Sequence, residues 1–89
     1  MTKDEIIRLG DAASQLLGSD AFQTATEAMK AEIFDNWLHT NPADKEAREK
    51  LHDLFTALTL VRSQLEKWKG NAQVEVKNVE RSRALPAFH

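Results

Sequence analysis

The chain has no cysteine and no tyrosine, and it holds only three glycines and two prolines in 89 residues. Without cysteine there is no disulfide framework, no thiolate zinc site and no thiol nucleophile. The scarcity of glycine and proline removes most helix breakers and favours long helices. No apolar run approaches the roughly 18 residues that a membrane span requires. The start, Met1-Thr2-Lys3-Asp4-Glu5, turns acidic at once and carries no long apolar stretch of the kind a secretory leader needs. Glycine-rich phosphate loops are also missing, as are internal repeats and low-complexity tracts. The expected location is the cytoplasm, with no membrane association and no small-molecule substrate.

What remains is an ordinary soluble composition: 42% hydrophobic, 29% charged, with a formal net charge of −2. A chain this short buries only about 60–65% of its unfolded surface. Lacking disulfides and metal, it needs close helix packing or a second chain to be stable. The charge is uneven. Residues 1–36 carry three basic and seven acidic side chains, whereas Lys77, Arg81 and Arg83 face only Glu80 in residues 76–89. A mildly acidic body with a mildly basic end is not the footprint of a strong nucleic-acid binder.

Periodicity and punctuation predict three helices. Thr2 and Glu5 have capping-box spacing, and Ile6, Leu9, Ala13, Leu16 and Leu17 recur at helical intervals, giving a first helix over 3–17. Gly10 weakens it by about 1 kcal/mol relative to alanine, so it depends on docking. Gly18 suits a left-handed stop. Ser19 or Asp20 caps a second helix over 21–39, with Phe22, Ala25, Met29, Ile33, Phe34 and Trp37 as its apolar stripe and Glu27, Lys30 and Asp35 off it. Asn41 and Pro42 read as the cap and first position of a third helix over 42–69. The short connection makes the second and third helices antiparallel neighbours.

The third helix carries a heptad seam, Ala47, Leu51, Leu54, Leu58, Val61, Leu65 and Trp68, spaced alternately four and three. Asp44/Arg48 and Glu46/Lys50 are i,i+4 ion pairs in the favourable order. Gly70-Asn71 reads as its stop. The third helix then outruns the second by about two turns. Leu65 and Trp68 require cover there, from the first helix folding back or from another chain. Beyond Gly70, Val74-Glu75-Val76-Lys77 alternates like a short strand over 74–77 within an extended basic tail, 71–89. Pro86 bars a helix through the end of the chain. The expected class is therefore all-α: a helical domain over 1–70 in which a short N-terminal helix joins a hairpin with a long third helix, followed by a short extended tail.

Candidate chemistry is sparse. His39, His52 and His89 have no metal-binding spacing, and Glu49-x-x-His52 occurs once where a bundle di-metal site needs two such motifs. The acidic residues read as a solvated face, and no serine has a nucleophile context. No catalytic residue, metal or cofactor is expected. An oligomer or partner interface is expected at Leu58, Val61, Leu65, Trp68, Val74 and Val76. Lys67, Lys69, Lys77, Arg81 and Arg83 are the candidate nucleic-acid contacts, with Trp37 and Trp68 more naturally core than base-stacking platforms.

Three runs carry a resemblance: Leu16-Leu17-Gly18-Ser19-Asp20-Ala21-Phe22-Gln23, Ala31-Glu32-Ile33-Phe34-Asp35-Asn36-Trp37, and Thr40-Asn41-Pro42-Ala43-Asp44-Lys45-Glu46-Ala47-Arg48-Glu49. Over about residues 16–69 the chain resembles short helical-hairpin proteins of tailed phages encoded among head and packaging genes. In outline it is also similar to phage terminase small subunits, with Val74-Glu75-Val76 in the place of their β segment. Residues 1–20 hold only Lys3 and Arg8 as basic residues, so the basic recognition helix of those subunits has no counterpart. The resemblance implies a non-enzymatic, homo-oligomeric role in virion assembly or DNA packaging, with other phage assembly proteins or DNA as partners. A nucleic-acid-binding or regulatory module, or a small inhibitor of a host protein, is the alternative.

Overall fold

A computed structural model describes residues 1–84. Among them there are three α-helices and no strand: α1 (Lys3–Leu17), α2 (Asp20–His39) and α3 (Lys45–Ala84). The chain is thus all-α, and the first two helices fall within one residue of their expected spans.

The caps explain the boundaries. Thr2 Oγ1 accepts a hydrogen bond from the Glu5 amide at 3.2 Å, opening α1. Gly18 does not supply the expected left-handed stop, because no residue with described geometry has a positive φ. Ser19 follows at once in extended backbone and caps α2, its Oγ accepting from the Phe22 amide at 3.2 Å. The Thr40 hydroxyl and amide both donate to the Trp37 carbonyl, closing α2.

The start of α3 lies three residues later than the proline signal implies. Asn41 spends its side chain on an Asx turn, Oδ1 accepting from the Ala43 amide at 2.9 Å. Asp44 then takes the cap position, its Oδ1 accepting from the Ala47 amide at 3.1 Å. Pro42 therefore sits inside the turn and not in the first helical turn.

The larger correction concerns the far end. α3 continues without a break through Gly70-Asn71 and through the expected strand 74–77, up to Ala84. The extended or β character expected for 71–84 is absent, and with it the β segment of the terminase comparison. A single glycine costs a helix only about 1 kcal/mol, and Ala72, Gln73, Glu75, Lys77, Glu80 and Arg81 are mostly good helix formers. The seam also carries on, Trp68 being followed by Ala72, Glu75 and Val79 at spacings of four, three and four. That packing outweighs the two-residue alternation of Val74 and Val76. The remainder of the expected tail, 85–89 with Pro86, lies outside the described residues.

The contacts divide the chain into two units. One unit joins α1 to α3 from Gln64 onward. Its core is Ala13, Leu65 and Ala72, at 1%, 6% and 7% exposure, with Gly10 also buried. A Cβ built at Gly10 would overlap the Ala72 methyl and lie 2.7 Å from the Trp68 carbonyl oxygen. Only glycine permits this approach, so Gly10 is a point of close contact with α3 and not merely a weak spot in α1. The first helix folds back onto this stretch, burying Leu65 and half-burying Trp68.

The other unit, Gly18–Ser63, is the α2–α3 hairpin. It contains no buried residue at all. Phe22, Thr26, Lys30 and Ile33 of α2 and Ala47, Leu51 and Leu58 of α3 are half-buried and mark the facing sides. Lys30 therefore lies nearer the hairpin seam than its charge suggests, while Met29 and Phe34 of the expected stripe are exposed.

Candidate functional site: exposed apolar surface of the hairpin

A heptad seam has two columns of side chains, and the two are treated differently here. The column Leu51, Leu58, Leu65, Ala72 and Val79 is covered along its length, half-buried or buried at every position. Leu54 and Val61 of the other column are exposed. In the first half of the seam Ala47, Leu51 and Leu58 are therefore half-covered and Leu54 is left open. The physical cause is geometric. One neighbouring helix covers a stripe about 100° wide, and this seam with its flanking Phe55 is wider.

The hairpin's other apolar feature is a groove of about 260 Å³ lined by Ile33, Phe34, Trp37, Leu51, His52 and Phe55. Its end is fixed by a clasp. The Arg48 guanidinium lies over the Trp37 ring, 4.1 Å from the centroid. The same side chain donates from Nε to Thr40 Oγ1 at 3.1 Å. Arg48 is thus used to hold the hairpin, in place of the i,i+4 pair with Asp44, which caps the helix. Glu46 and Lys50 do pair, at 3.4 Å, on an exposed face where such a bond contributes little. The groove is hidden in the sequence because Phe55 lies off the four-three spacing. An apolar residue directly beside a seam position is the signal that points to it.

The expected interface residues scatter across both units. Leu58 is half-buried inside the hairpin and Val61 is exposed. Leu65 is buried and Trp68 half-buried in the α1 unit, which withdraws them from the surface. Val74 and Val76 are exposed on α3, as helical and not strand residues. Among the basic candidates, Lys69 and Lys77 line a groove of about 530 Å³ together with Asp11 and Glu80, so their charge is locally offset. Lys67, Arg81 and Arg83 are exposed. The five cations do not form one patch.

Titratable chemistry adds little. His39 donates from Nδ1 to the Asp35 carbonyl at 2.7 Å, closing a local helical turn. Among the described residues no group of three or more His, Asp or Glu side chains is placed to hold a metal. No helix of the described residues is long and apolar enough to cross a membrane. Glu75 is the exception to an otherwise solvated set of carboxylates. It sits on the seam with Oε2 out of solvent and no hydrogen-bond partner among the described residues. No protein-family model, curated protein or solved structure matches the chain.

Proposed function

We propose that this is a non-enzymatic, self-associating helical interaction protein that serves phage virion assembly or genome packaging. The observation that carries the self-association is the imbalance of the hairpin. It buries nothing, while Met29, Phe34, Trp37, Leu38, Leu54, Phe55, Leu60 and Val61 are all exposed. Large apolar side chains concentrated on one hairpin mark a surface meant to be covered. Burying a Leu or Phe side chain contributes about 1.5–3 kcal/mol, so covering several decides whether the hairpin is stable. The phage assignment rests on the three residue runs within 16–49 that carry the resemblance.

The test is light scattering behind size exclusion over a wide concentration range. An assembly larger than the 10.1 kDa chain is expected, with helicity that falls on dilution. A well-folded monomer at every concentration sinks the self-association. For the biological role, disrupting the gene in a tailed phage that carries it should halt particles at a head or packaging stage, and undiminished particle yield rejects that assignment.

A further inference from the structure

We infer that the hairpin associates head to tail, the groove on one flank taking the opposite flank of a second copy. This rests on the self-association proposed above and specifies its surface and its symmetry. The argument starts from helix geometry, in which each residue advances about 100°. With Leu51 as the inward direction of α3, Phe55 lies at about +40° and His52 at about +100°, whereas Leu54 lies at about −60° and Val61 at about −80°. With Ile33 as the inward direction of α2, Trp37 lies at about +40° and Phe34 at about +100°, whereas Met29 lies at about −40°. In an antiparallel pair the same sign of rotation leads to the same side. The hairpin therefore has two apolar flanks. One is the groove with Phe34, Trp37 and Phe55. The other is Met29, Leu54 and Val61, all exposed.

A two-fold dimer joins a patch to itself and leaves the other flank open. Pairing unlike flanks covers both on every interior copy. Charge favours the unlike pairing as well. On the groove side lie Lys30, Arg48 and Arg62, with Asp44 at the start of α3 and Glu66 one turn beyond Arg62 as the acids, which leaves a basic excess; Glu27 and Lys45 lie farther round and offset each other. Nearest the second flank are Glu32 and Lys50, and Lys50 is engaged by Glu46. A flank with a basic excess thus meets one with an acidic excess, whereas like-with-like pairing would set like excess against like. The second copy is the occupant because a hairpin with no core of its own needs cover whenever it is folded, and its own kind is always present in equal amount.

Two variants test this, Phe34→Asp on the groove flank and Leu54→Asp on the other. Both side chains are more than half exposed, at 60% and 54%. Masses are read by light scattering, with helicity by circular dichroism as the folding control. The wild type is expected to exceed two copies. Each variant alone should be monomeric, and an equimolar mixture should recover a one-to-one pair, since one groove and one opposite flank remain intact. If either aspartate unfolds the chain, Phe34→Gln and Leu54→Gln serve in its place with the same expected pattern. A wild-type dimer abolished by one variant and untouched by the other, with no recovery on mixing, overturns the head-to-tail pairing and leaves self-association standing. An assembly indifferent to both variants does the same. A monomeric wild type overturns both.

Discussion

Two glycines, one facing α3 and one within it, have opposite meanings. At Gly10 an added methyl meets Ala72 and the Trp68 carbonyl, so Gly10→Ala should destabilise by about 1–3 kcal/mol despite alanine's better helix propensity. At Gly70 a Cβ meets nothing within 4 Å, so Gly70→Ala should stabilise by up to about 1 kcal/mol. Urea unfolding of the two variants reads both signs. Equal effects would refute the close approach of α1 to α3. Glu75 makes a third residue-level case. One of its carboxylate oxygens is held from water on an otherwise apolar seam while the residue is half-buried, so Glu75→Leu should raise the urea midpoint by extending the seam's apolar contact. The period of the seam is legible in the sequence. What Gly10 is for is not, since a glycine's role depends on the atom that faces it.

The helices show where local signals suffice. Ser19 and Asp44 act through bonds to amides three residues on, and replacing either with alanine should cost about 1 kcal/mol. Capping is local physics, which is why the bounds of α1 and α2 are legible. The start of α3 is ambiguous in sequence because Asn41 and Asp44 are both good caps, and the Asx turn at Asn41 decides between them. Its end is misleading because Gly70 and the alternation of Val74 and Val76 are weak signals, each worth under about 1 kcal/mol, and the continuing seam overrides them. A proline at position 76 distinguishes a continuous helix from an extended tail. In a continuous helix Val76→Pro should cost about 3 kcal/mol and lower helicity measurably, whereas in an extended tail it would change neither.

At the scale of the molecule, self-association makes stability depend on concentration. The thermal midpoint should rise by several degrees for each tenfold increase in protein, measured by circular dichroism. Because the apolar flanks dominate, added salt should shift that midpoint only slightly, in contrast to a purely electrostatic assembly, which screening would weaken. A midpoint independent of concentration would place the hairpin's stability within one chain and count against its need for a cover.

The sequence alone determined that the chain is helical, where two of its three helices lie, and that one seam organises the third. These follow from period, capping and the scarcity of breakers, all of which act within a few residues. Tertiary structure decided which column of that seam is covered, that α1 covers Leu65 and approaches through Gly10, and that Arg48 clasps Trp37. It also decided that Phe34, Trp37 and Phe55 share one groove. Each of these depends on which helix stands opposite, and one helix's period carries no information about the width of its neighbour.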